Sequence, residues 1–133
     1  MTETDAPGNA ARVSVLVVED DLLVRKLITL QLLELPIDVF KASNAADALA
    51  ICARRAPALA LVDMGLPDMS GAELCAEIRR LYPGTPVCIV SGATGAADRR
   101  EAAQAGCAEY LVKPFAAQDL KALVTRMLAK PAG

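Results

Sequence analysis

The chain has 133 residues, 54% of them hydrophobic and only 3% aromatic with no Trp, enough apolar material for one core built from Leu, Val, Ile and Ala. Lys and Arg number 14 against 16 Asp and Glu, a formal charge of −2, so no basic field is available for a phosphodiester backbone and direct nucleic-acid binding is not expected. The opening residues, MTETDAPGNAAR, are polar and acid-bearing, unlike a secretory signal, and no apolar run approaches the roughly 20 residues of a membrane span. A cytoplasmic setting without membrane attachment is expected.

Val13–Val18 (VSVLVV) is a short β-branched run ending in acids, the pattern of a strand buried on both faces. From Leu22 to Leu33 apolar residues recur broadly, with Leu23, Leu27 and Leu30 at the helical spacing of an amphipathic segment and Arg25, Lys26, Thr29 and Gln31 at polar positions; Pro36 stops it. Ile37–Phe40 can form a second strand, and Ser43 or Asn44 can cap a helix whose Ala45, Ala48, Leu49 and Cys52 share one face. Leu59–Val62 is a third apolar run ending in an acid, followed by the turn formers of GLPDMSG. Ser70 precedes Glu73 by three residues, a capping box opening a helix with Leu74, Ile78 and Leu81 on its buried side, and Tyr82, Pro83 and Gly84 close it.

Val87–Val90 reads as the fourth strand, and Ala96–Ala105 as a short, weakly amphipathic helix with Gly106 as its C-terminal cap. Tyr110–Val112 reads as the fifth strand, and after Pro114 the residues Leu120, Leu123, Val124, Met127 and Leu128 form the clearest amphipathic face. Cys52, Cys75, Cys88 and Cys107 make no C-x-x-C pair and there is no His to complete a zinc site. They read as small buried apolar residues in a reducing compartment, although spacing alone leaves a disulfide open. Five strands alternating with five helices predict an α/β domain with a parallel sheet covered on both faces, over residues 12–129, with a flexible N-terminal tail at 1–11 and a C-terminal tail at 130–133.

Polar residues recur at the carboxyl ends of these strands. Glu19, Asp20 and Asp21 follow the first, Asp63 the third, Ser91 and Gly92 the fourth, and Lys113 the fifth. In an open α/β sheet that edge is where ligands bind. Neighbouring carboxylates repel one another unless a hard cation sits among them, and an oxygen-ligand site with retained waters suits Mg²⁺, or Mn²⁺ in its place. Asp21 reads instead as a helix N-cap. With a cation bound, Asp63 is a carboxylate nucleophile able to form an aspartyl-phosphate. The phosphoryl oxygens would then be held by the metal, the Lys113 ammonium, and the Ser91 hydroxyl with loop N–H groups. Lys113 precedes Pro114, and a cis bond there would aim the lysine inward.

The segments LVVEDD, ALVDMGLPDMSG, IVSGA and YLVKPF together resemble the receiver domain of bacterial response regulators, over Val13 to Leu128. The resemblance implies a flavodoxin-like sheet in the order 2-1-3-4-5. It implies that Asp20 ligates the metal directly, Glu19 acts mainly through water, Asp63 is phosphorylated, the Gly65 carbonyl ligates the metal, and Ser91 and Lys113 hold phosphoryl oxygens. Tyr110 matches the family's aromatic switch, and Gly65 and Ala93 match the two positions flanking the path of hydrolytic water. With no polar side chain at either, an intermediate autodephosphorylation rate is implied.

Glu19 stands where Asp is commoner and Ser91 where Thr is commoner, both conservative in chemistry. Implied partners are a sensor histidine kinase or histidine phosphotransfer protein and a downstream protein bound at the fourth helix, fifth strand and fifth helix. Because no effector domain follows the last helix, a stand-alone receiver acting through a partner or by phosphorylation-dependent self-association is expected; a receiver excised from a larger protein fits as well. No substrate turnover is expected. A flavodoxin-like electron carrier would need a phosphate-cradling first loop, and here that loop is triply acidic. A haloacid-dehalogenase-type phosphatase needs a second Asp at position 65, which is Gly. A degenerate pseudo-receiver is disfavoured because every required residue is present.

Overall fold

The computed structural model describes residues 12–92 and 95–129. Both expected tails and Ala93 therefore lie outside the described residues. The strands are β1 (Val13–Val18), β2 (Ile37–Ala42), β3 (Leu59–Asp63), β4 (Val87–Ser91) and β5 (Glu109–Val112). They alternate with α1 (Leu22–Leu32), α2 (Ala45–Arg54), α3 (Gly71–Leu81), α4 (Ala96–Gln104) and α5 (Ala117–Ala129). All strand pairs are parallel and the sheet order is β2-β1-β3-β4-β5, as the resemblance implied.

Alternation along the buried strands divides the core in two. Val15 and Val17 of β1, Leu59 and Leu61 of β3, and Cys88 and Val90 of β4 pack against Ile28 and Leu32 of α1 and Leu120, Leu123, Val124 and Met127 of α5. The alternate residues Leu16, Val18, Ala60, Val62, Val87 and Ile89 face α2, α3 and Ala102 of α4. Cys52, Cys75 and Cys88 are buried free thiols and Cys107 is half-buried, so the cysteines serve as packing rather than as a cross-link.

Helix ends follow local chemistry. Asn44, not Ser43, caps α2 by accepting from the Asp47 amide. Ser70 and Glu73 form the reciprocal capping box of α3. Gly106 adopts φ of 92°, and the Gly106 and Cys107 amides donate to the carbonyls of Ala103 and Ala102, which closes α4 in a Schellman turn.

Two amphipathic readings need correction. In α1 the leucines at helical spacing face solvent, with Leu23 77%, Leu27 52% and Leu30 62% exposed, while Ile28 and Leu32 enter the core. The helix is apolar on nearly every side, so periodicity could not select the face that packs. In α3, Leu74 and Ile78 are buried as expected but Leu81 is 44% exposed, and Ala72 and Cys75 complete the buried face instead.

Candidate functional site

The strand registers Val18↔Val62, Asp63↔Val90 and Ser91↔Val112 bring the four chemistry-bearing strand ends level. Beyond β1, the Glu19 amide donates to the Ala42 carbonyl at 3.0 Å, which holds the acidic loop against the end of β2. Asp21 turns its carboxylate to α1, accepting from the Val24 amide at 3.1 Å, as a cap should. The Arg25 guanidinium donates to the Glu19 carbonyl at 2.8 Å and fastens the loop to the helix it precedes.

Glu19, Asp20 and Asp63 form one acidic group, each offering an oxygen within 4.8 Å of the others. Glu19 is 2% and Asp63 8% exposed, whereas Asp20 faces solvent. Lys113 bridges the two buried acids, its Nζ lying 2.8 Å from Glu19 Oε1 and 3.0 Å from Asp63 Oδ1. Its own strand end is set by the Lys113 amide, which donates to the Ser91 carbonyl at 2.8 Å; the Lys113–Pro114 bond is cis.

The charges shift one another in ways that follow from burial and proximity. Burial raises the Glu19 pKa above its ordinary value; the hydrogen bond from Lys113 opposes this and the nearby Asp63 charge reinforces it. Burial alone would lower the Lys113 pKa, but its bonds to Glu19 and Asp63 prevail and raise it. The ammonium therefore stays charged between two carboxylates. Three acids facing one ammonium leave an excess of negative charge, and their oxygens suit a hard divalent cation.

Asp63 Oδ2 accepts from the Gly65 amide at 3.2 Å. The loop between β3 and α3 is closed at its stem by a Gly65–Ser70 bridge and by the Gly71 amide on the Met64 carbonyl at 2.7 Å. Gly71 is obligatory there, since a Cβ would lie 2.3 Å from the Asp63 carbonyl oxygen. The middle of the loop is tied elsewhere, with Asp68 Oδ1 and Oδ2 accepting from the Ala45 and Ala46 amides at 2.9 and 3.0 Å. A reading of GLPDMSG as turn formers misses this bond, because its partners lie 22 and 23 residues away.

Ser91 is 4% exposed at the end of β4. Tyr110 sits opposite Ile89, is half-buried against the α2–α3 side of the core, and carries the Arg99 guanidinium 4.7 Å from its ring centroid. That stacking joins α4 to β5 and had no signal in the sequence. The fold thus brings together Glu19, Asp20, Asp63 and Lys113, with Gly65 adjoining Asp63 and Ser91 on the neighbouring strand end.

Among the described residues no helix is long and apolar enough to cross a membrane. A sequence model described as the response regulator receiver domain matches residues 15–125. The response regulator protein FleR of Pseudomonas aeruginosa is 42% identical over 113 residues, covering 84% of this chain and 24% of FleR. The KDP operon transcriptional regulatory protein KdpE of Escherichia coli is 34% identical over 109 residues, 82% of this chain and 48% of KdpE. The chain thus spans between about a quarter and about half of these relatives.

Among solved structures, a CheY-like receiver domain protein from Methanospirillum hungatei superposes with a TM-score of 0.84 at 29% identity, covering 89% of this chain and 94% of that one. The BeF3-activated DrrB receiver domain gives 0.83 at 28% identity, covering 90% and 99%. The acidic strand-end group, the sheet order and these matches lead to one conclusion: the chain belongs to the response regulator receiver domain family of two-component signalling.

Proposed function

We propose that this domain accepts a phosphoryl group on Asp63 from the phosphohistidine of a sensor kinase or histidine phosphotransfer protein. In the transfer an Asp63 oxygen forms a bond to phosphorus as the P–N bond to the donor imidazole breaks, the electron pair leaving with the imidazole nitrogen. The observation that carries this reading is the Lys113 ammonium held 3.0 Å from Asp63 Oδ1 inside the three-acid group. A phosphoryl group on Asp63 comes within reach of that ammonium, which neutralises one of its oxygens, and Ser91 at the adjoining strand end takes another.

Asp20 and Asp63, with the Gly65 carbonyl and Glu19 through water, are the groups to hold Mg²⁺ or Mn²⁺. When bound, the cation supplies charge neutralisation for the incoming phosphate. The acidic group fits this role because its carboxylates repel a phosphodonor without a counter-ion. Engagement of Ser91 draws Tyr110 inward and alters the α4–β5–α5 face, where a downstream protein or a second copy binds. The domain acts as a signalling phosphoacceptor that assists its own phosphorylation and dephosphorylation, works within the cytoplasm, and contacts neither membrane nor nucleic acid directly.

Intact-mass spectrometry with acetyl phosphate tests the assignment. A phosphoryl adduct is expected on the wild type only with a divalent cation, and none on Asp63→Asn. Equal modification of the two proteins sinks it.

A further inference from the structure

The loop between β3 and α3 carries Gly65, whose amide orients the Asp63 carboxylate and whose carbonyl is assigned above to the cation. Its stem is closed by its own residues, Gly65 with Ser70 and Gly71 with Met64. Gly65, Pro67 and Asp68 are exposed, while Leu66 and Met69 rest partly buried against the core. A polar tie between this loop and a distant part of the fold is the Asp68 carboxylate on the Ala45 and Ala46 amides.

Those amides belong to the first two residues of α2, and a helix leaves its first N–H groups without internal partners. The N-cap does not serve them, since the Asn44 side chain accepts from the Asp47 amide at 2.8 Å. Asp68 fills both vacancies with one carboxylate, at the helix end where negative charge is favoured. The two amide bonds hold its carboxyl below the usual range. The anchor is firm, because Ala45 and Ala48 are 0% and Cys52 is 1% exposed beneath the first turns of α2.

We propose that Asp68 is a positioning residue: by clamping the loop to the start of α2 it holds Gly65 in place against Asp63, and so sets the affinity of the acidic group for a divalent cation. This rests on the reading of the site given above. Removing the clamp frees residues 66–69, and the Gly65–Ser70 bridge at the stem, which those residues connect, is then held less tightly. The Gly65 amide then holds Asp63 Oδ2 less well, and the Gly65 carbonyl loses its fixed position. Losing a hydrogen bond made directly to a metal ligand typically costs about 10–100-fold in affinity, and the clamp acts one step further out, so the low end, about tenfold, applies. Linkage requires the reverse effect as well, so cation binding must tighten the Asp68 bonds to α2.

The test compares three variants with the wild type by Mg²⁺ titration and by acetyl phosphate labelling across Mg²⁺ concentration. Asp68→Ala is expected to weaken Mg²⁺ binding about tenfold, with labelling slowed at low Mg²⁺ and largely recovered at saturation. Asp68→Asn, which keeps one acceptor, should fall between. Asn44→Ala removes the other cap of α2 without touching the loop, and should lower stability while leaving Mg²⁺ affinity unchanged. Mg²⁺ should also slow hydrogen exchange at the Ala45 and Ala46 amides in the wild type and not in Asp68→Ala. Equal Mg²⁺ affinity in Asp68→Ala and wild type overturns the clamp while leaving the phosphoacceptor assignment standing. An equal loss in Asn44→Ala overturns it too, since helix stability alone would then explain the effect. A wild type that neither binds Mg²⁺ nor accepts phosphate overturns both.

Discussion

Lys113→Met retains a stem of similar length and removes the ammonium from between Glu19 and Asp63. Each of its contacts, at 2.8 and 3.0 Å, has a gross attraction of about 6 kcal/mol at an effective dielectric near 20. Desolvation of the three ions offsets most of that, and deleting one partner of a buried pair costs about 3–5 kcal/mol. The Lys113 side chain keeps 20% exposure, so the lower end applies, about 3 kcal/mol.

The sign with pH follows from the raised Lys113 pKa. Its stabilisation is fully present below the ordinary value of 10.5 and is lost as pH rises through the higher folded value. Glu19 works the other way at neutral pH, because its raised pKa makes the charged form costly in the fold above the ordinary value of 4.5. Adding Glu19→Gln to Lys113→Met should therefore recover more than half of the loss. Urea unfolding at pH 7 in EDTA measures the deficit, and repeating it in Mg²⁺ should narrow the gap, since the cation replaces the missing charge. A Lys113→Met protein within about 0.5 kcal/mol of wild type in EDTA, or a gap that Mg²⁺ leaves untouched, would refute the reasoning.

Asp20→Ala removes an exposed acid from a crowded group, so Mg²⁺ binding should disappear in calorimetry while stability in EDTA stays level or rises slightly; unchanged affinity would place the cation elsewhere. Gly71→Ala sets a Cβ 2.3 Å from the Asp63 oxygen and 2.8 Å from Met64 Cα, both backbone, so the end of β3 must move. A loss of about 2–3 kcal/mol is expected, with slower Asp63 labelling, and a thermal transition matching wild type would show that the turn yields freely. Gly65→Asn with Ala93→Glu supplies polar groups at the two positions that the family resemblance assigns to the flanks of the hydrolytic water path. Gly65 lies outside the positive-φ region and a Cβ there meets Asp63 Oδ2 at an ordinary 3.8 Å, so the asparagine fits. Phosphoprotein decay followed by intact mass should quicken by up to about 10²-fold; an unchanged rate in a folded variant would mean that water access is controlled elsewhere.

Much of this molecule is written locally. Short β-branched runs bounded by acids, Pro and Gly gave the strands to within a few residues, and the caps at Asp21, Asn44, Ser70 and Gly106 involve partners close in the chain. The acids, the serine and the lysine were legible as a set because parallel strands must all end at one edge. The order of strands came from family resemblance, since local pattern is indifferent to which parallel neighbour a strand takes.

Packing decided what periodicity left degenerate. An α1 with leucines on nearly every side could have turned Leu23, Leu27 and Leu30 inward, and only the fit of Ile28 and Leu32 against β1, β3 and α5 selected its face. Long-range polar bonds were likewise beyond local reading. Lys113 and Glu19 are 94 residues apart in the chain, and Asp68 reaches the amides of α2 across 22 and 23 residues. The residue types set what these groups could do chemically, but burial in a common edge made their charges neighbours, because Coulomb attraction and hydrogen bonding depend on distance in space rather than along the chain.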